Sequence, residues 1–94
     1  MSDIDTTNDL TFPAVHMNGT SKGDLIQQNV DAAHAVQKAL DALGRAAPNG
    51  RDFYVIDSDA YSRAVAEHAE RMRRLRAVSD ELQAIAWDVS NQRS

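Results

Sequence analysis

With 94 residues, a net charge of -4 and no cysteine, the chain has room for one small domain with a thin core, of the kind that gains from self-association. Disulfides and thiolate metal sites are excluded, and so acidic a chain lacks the basic footprint needed to bind a DNA or RNA duplex. No apolar run approaches the roughly 20 residues that span a bilayer, and no basic-then-apolar signal pattern opens the chain, so a soluble intracellular protein without a membrane partner is expected.

Residues 1–15 read as a flexible acidic tail followed by an extended segment, and residues 16–94 as a helical hairpin domain. Asp3, Asp5 and Asp9 occur without a basic residue, which favours a frayed end. Pro13 disfavours the α region for Phe12 and extends the backbone there. Phe12, Val15 and Met17 can then cover one edge of a helical core. Phe12 can instead reach a neighbouring chain or stack on a ligand base.

The stretch His16-Met17-Asn18-Gly19-Thr20-Ser21-Lys22 separates this tail from the helices. Asn18-Gly19 is a turn signal, and Thr20 and Ser21 are both competent N-caps. Ser21-Lys22-Gly23-Asp24 forms a loose capping box, with Asp where Glu or Gln is preferred. Free N–H groups, two hydroxyls, an Asn amide and a lysine at one helix start also make an anion seat. A turn plus a cap accounts for the same residues without a ligand.

A first helix is expected over about 22–43. Ile26, Val30, Ala33, Val36 or Gln37, Leu40 and Leu43 recur at steps of three and four. Gly44 supplies the C′ stop and Pro48 blocks a restart. Residues 44–58 form a loop with a tight-turn signal at Asn49-Gly50. Phe53 to Ile56, β-like but with no partner strand before it, reads as an extended apolar clip closing the hairpin. Arg51 and Asp52 can pair with each other or with the first helix.

The second helix is expected over about 59–90, capped by Ser58 with Asp59 in its first turn. Tyr61, Val65, His68, Met72, Leu75, Val78 or Ser79, Leu82, Ile85, Ala86 and Val89 hold a heptad-like stripe. At 1.5 Å per residue it is a rod of ~45 Å against ~33 Å for the first helix. The excess predicts an overhang of roughly two turns near Ile85, Trp87 and Val89, apolar enough to need another subunit. The fold class is therefore all-α: an antiparallel helical hairpin with a short extended N-terminal segment, assembled as a homo-oligomer.

Catalytic signatures are sparse. There is no Gly-rich phosphate loop, no Cys/His pair and no Ser/His/Asp order with supporting motifs. His16, His34 and His68 are scattered; His68 with Glu67 or Glu70 can ligate a metal in principle, or pack as a hydrogen-bonded helical histidine. The chain thus reads as a non-enzyme without metal or cofactor. Arg63, Arg71, Arg73, Arg74 and Arg76 against Glu67 and Glu70 give residues 63–76 a local charge of +3. They describe either a solvated face stitched by weak pairs such as Glu67–Arg71, or an inter-subunit pocket where Arg71 or Arg74 grips phosphate oxygens.

His16 to Lys22, then Pro48-Asn49-Gly50-Arg51-Asp52-Phe53-Tyr54, then Glu67-His68-x-x-Arg71 and Leu75-x-x-Val78 resemble the phage anti-CBASS cyclic-nucleotide sponges. The helical hairpin of that family is shared with a class of anti-Thoeris sponges, and the resemblance covers about residues 14–90. It implies a homohexamer in the cytoplasm of an infected bacterium, sequestering cyclic dinucleotide and trinucleotide immune signals without cleaving them. The matching residues are Phe12 and Lys22 for a dinucleotide pocket, and Thr20 with Arg71 for a trinucleotide pocket. Asn18, Gly19 and Ser21 support either, and Arg74 neighbours Arg71. Phe12 stands where the family pattern has tyrosine. Two readings compete with a sponge: a helical adaptor binding protein through Ile85, Trp87 and Val89, and a nucleotide-cleaving enzyme with His68 or His16 as base.

Overall fold

The computed structural model describes residues 10–93; Asp3, Asp5 and Asp9, on which the frayed acidic tail was expected, lie outside the described residues. Two helices, α1 (Lys22–Arg45) and α2 (Ala60–Ser90), pack as a hairpin, joined by a connection that holds a short 3-10 turn at Gly50–Asp52. The expected all-helical hairpin is thus present, preceded by an irregular segment over residues 10–16. Among the described residues, no helix is long and apolar enough to cross a membrane.

Local chemistry sets the ends of α1. Ser21 is extended (φ -62°, ψ 154°), and its Oγ accepts the Asp24 amide at 3.1 Å, satisfying one of the free donors of the first turn. The capping box is therefore half-formed, with the backbone of Asp24 used and its carboxylate not. At the other end Gly44 is not the stop. The helix runs one residue past it to Arg45, with Ala46 as C-cap, and no described residue has a positive φ. A tight last turn replaces the glycine cap: the Ala46 amide reaches the Leu43 carbonyl at 2.9 Å, a pattern that uses free carbonyls without left-handed backbone.

The connection departs from expectation in two places. Phe53–Ile56 is a series of turns rather than an extended clip. Asn49 Oδ1 accepts the Arg51 amide at 3.0 Å, and the coil continues with Tyr54 N–H on the Gly50 carbonyl at 3.1 Å and Ile56 N–H on Phe53 at 3.0 Å. With no second strand to satisfy extended backbone, local turn bonds win. Only Phe53 turns inward, against Tyr61 at 6.4 Å between ring centroids, while Tyr54, Val55 and Ile56 face solvent. Ser58 does not cap α2; Asp59 occupies the N-cap without a side-chain bond. The Asp57 carboxylate takes over the local role, accepting the Asp59 amide at 2.8 Å and both terminal nitrogens of Arg63. A carboxylate two residues back makes an Asx-type turn and a charge-assisted fork, which a hydroxyl cannot match.

Register decides what the hairpin covers. Lys22 Nζ donates to the Gln92 carbonyl at 2.6 Å, Ala33 and Leu40 share grooves with Ser79, and Ala46 and Ala47 lie across from Ala64 and His68. The start of α1 is therefore level with the end of α2, and the surplus length of α2 lies at its N-terminal end. There the connection folds back over it and buries Ala60 and Ala64. This corrects the expected overhang at the C-terminal end: Val89 is 0% exposed and Ile85 half-buried, and of the three only Trp87 stays open, at 71%. The core is a seam of small residues, Ala33, Ala60, Ala64, Ser79 and Ala86, with Leu40 and Val89. Small side chains let the two backbones approach closely, and Ser79 Oγ is satisfied by Gln83 Nε2 at 3.0 Å, so its burial leaves no unpaired group.

Candidate functional site

The residues singled out in the sequence fall into two groups at opposite ends of the hairpin. At the open end, Phe12 precedes a strap held to the end of α2 by one side chain. Gln92 Oε1 accepts the Val15 amide at 2.8 Å, and Gln92 Nε2 donates to the Pro13 carbonyl at 2.8 Å and to Asp88 Oδ2 at 3.0 Å. Because the Gln92 backbone carbonyl also receives the Lys22 ammonium, one residue brings the strap and the first turn of α1 together. Phe12 keeps 38% of its surface exposed. Phe12 and Lys22 thus share one end.

Between them, Asn18, Gly19, Thr20 and Ser21 are all exposed in a turn closed by the Gly19 amide on the His16 carbonyl at 3.2 Å. The turn needs no left-handed backbone; what Gly19 provides is room, since an added Cβ would stand 2.7 Å from His16 Nε2. Ser21 Oγ is committed to its cap and Lys22 to Gln92. An ammonium carries three donors, so Lys22 retains capacity for an anion while tying α1 to α2.

Arg71 and Arg74 lie at the closed end. Arg71 edges a cleft of about 450 Å³ between the connection and α2, lined also by Asn49, Asp52, Phe53, Glu67 and His68. Counting the 24 residues of α1 at 1.5 Å each, this cleft is about 35 Å from Lys22. A single chain therefore does not bring Thr20 and Arg71 together.

Charge pairing separates the arginines. Arg63 grips Asp57 at 3.0 Å and Arg73 grips Glu70 at 2.7 Å. The Arg63 hydrogen bond, with the Asp59 amide, lowers the Asp57 carboxyl below its ordinary range, and the same pair raises Arg63. Arg73 lowers Glu70 in the same way, chiefly through its hydrogen bond. The Glu67–Arg71 pair expected from i,i+4 spacing is absent, as is any pairing of Arg51 with Asp52; among the described residues Arg71 and Arg74 make no salt bridge. Arg71 and Arg74 also line a second, shallower pocket of about 360 Å³ together with Glu67 and Glu70, and two solvent-facing guanidinium groups outside any salt bridge among the described residues are suited to oxyanions.

Gln92 was missed in the sequence because nothing in a lone glutamine after a helix marks it as a hub. A second feature also went unmarked: a polar groove between the helices, lined by Gln37, Asp41, Arg76, Asp80 and Gln83. Spacing alone offers a signal for it, since these residues follow the seam residues at helical intervals. Among the described residues no cluster of three or more His, Asp or Glu side chains is placed to hold a metal, so Glu67, His68 and Glu70 do not form one. Comparison with family models, with curated proteins and with solved structures finds no match for this chain.

Proposed function

We propose that the chain is a phage-encoded sponge that binds cyclic dinucleotides or trinucleotides in the cytoplasm of the infected host without cleaving them, so blunting CBASS immunity. The observation that carries this reading is Arg71: a guanidinium outside any salt bridge among the described residues, at the mouth of an open cleft. An accessible planar fork suits phosphate oxygens. Lys22, Asn18 and Thr20 add donors at the open end, where Phe12 offers a stacking face, and the resemblance in the motifs points the same way. Since Thr20 and Arg71 stand at opposite ends of one chain, a trinucleotide held by both requires two copies. The sponge is accordingly proposed as a homo-oligomer, a hexamer by the resemblance.

Calorimetric titration with cyclic di- and trinucleotides, followed by heat denaturation and chromatography of the released ligand, tests the proposal. Binding with intact ligand recovered supports it, and a cleaved product would replace it with an enzyme. Absence of heat with every nucleotide would turn attention to the adaptor reading. One observation favours that alternative: Trp87 is 71% exposed on an otherwise polar flank, and large aromatic side chains in the open are frequent anchors for protein partners.

A further inference from the structure

We propose that the face of α2 centred on Val78 is a two-fold interface with a second copy of this chain. Val78 is 43% exposed and stands between Leu75 and Leu82, both half-buried. Steps of about 100° per residue place Leu75 and Leu82 on one side of the Val78 line and Arg74 and Glu81 on the other. Neither Arg74 nor Glu81 forms a salt bridge among the described residues. The nearest anion to Arg74 in sequence is Glu70, whose carboxylate is already taken through two bonds by Arg73.

These residues complement themselves under one symmetry operation. Arg74 lies about 6 Å of helical rise before Val78, and Glu81 about 4.5 Å after it. A two-fold axis at Val78 reverses the helix direction but keeps each side of the face on its own side. It therefore sets Arg74 against the partner's Glu81, and Glu81 against the partner's Arg74, each level to about 1.5 Å. The same operation sets Leu75 against the partner's Leu82 and Val78 against its own copy. Apolar and charged rows thus fall into register together, which a sequence without such symmetry does not offer an isologous contact.

The assignment puts Arg74 inside the interface; Arg71, seven residues before Val78 and within about 20° of its line, lies on the same face, about 10 Å from the axis and opposite the partner's Ile85. The assignment holds whether or not a nucleotide binds, and the dimer can serve as the unit of a larger even assembly. Sedimentation velocity over a concentration series tests it, with circular dichroism to confirm that each variant keeps its helices. The wild-type chain is expected as a dimer or an even multiple. Arg74→Glu and Glu81→Arg should each weaken the dimer about tenfold or more, because each reversal meets a like charge twice. The double swap R74E/E81R should restore assembly, which no generic loss of surface charge would do.

A monomeric wild-type chain, or a swap that fails to restore a dimer broken by the single reversals, overturns the proposal. Because the chain contains no cysteine, Val78→Cys provides a second readout: a residue on the axis should cross-link to its own copy on mild oxidation. Cross-linking no faster than that of Gln27→Cys, on the exposed face of α1, would also refute the interface.

Discussion

Replacing Gln92 with alanine tests how the open end is held. The side chain makes three hydrogen bonds, to the Val15 amide, the Pro13 carbonyl and Asp88, and the first two are the side-chain links from the strap to α2. At about 0.5–1.5 kcal/mol each, net of water, those two stabilise the docked strap by roughly 1–3 kcal/mol. The sites are only partly buried, so water recovers part of the loss and the lower half of that range applies. Native-state amide exchange reads the effect directly. Val15 N–H should lose about five- to thirtyfold in protection, since about 1.4 kcal/mol is a factor of ten, while amides in the middle of α1 and α2 change little. Unchanged exchange at Val15, with the helices intact, would mean that the strap is held by something other than Gln92.

Three further outcomes follow from the geometry. Ser21→Ala removes the acceptor for the Asp24 amide and should cost about 1 kcal/mol, seen in thermal denaturation; a variant as stable as wild type would deny the cap. Arg63 holds the Asp57 carboxyl below its ordinary 3.8, so this pair supports the start of α2 above that value and releases it as pH falls through the lowered one. The Asp59 amide resonance should therefore titrate with a midpoint below 3.8, returning toward it in Arg63→Ala; an unmoved midpoint would deny the coupling. If the sponge reading holds, Phe12→Ala weakens cyclic dinucleotides roughly ten- to a hundredfold, as for loss of a stacked base, and Arg71→Ala weakens trinucleotides selectively. Loss within assay error would remove Phe12 from the site, and equal loss of both ligands in Arg71→Ala would mark a folding defect.

The two helices were legible because their signals are local and repeated. Apolar steps of three and four run through Ile26, Ala33 and Leu40, and again through His68, Met72, Leu75, Ser79, Leu82 and Ala86; Ser21 caps where its chemistry directs. Less legible were the positions where two local options compete. Gly44 is permissive enough to stay helical when a neighbouring residue ends the helix, and Ser58 lost its cap to the stronger acceptor Asp57. The overhang was misplaced because two helix lengths give their difference but not the end at which it falls. Register supplies that information, through the Lys22 and Gln92 tie that spans the whole hairpin. For the same reason the candidate residues could be named individually while their separation into two distant groups could not be read.

That register also sets how the chain-entropy cost of closure is distributed along the hairpin. Contacts at the closed end, such as Phe53 with Tyr61, join residues close in sequence, whereas Lys22 and Gln92 must close a loop of nearly the whole chain. Loop-closure entropy grows with that separation, so sealing the open end costs more chain entropy than sealing the connection. The strap, Phe12 and the turn before α1 therefore sit at the end whose ties join residues farthest apart in sequence. A molecule that gripped both Phe12 and Lys22 would add a second tie at that end, beside the one that Gln92 already makes.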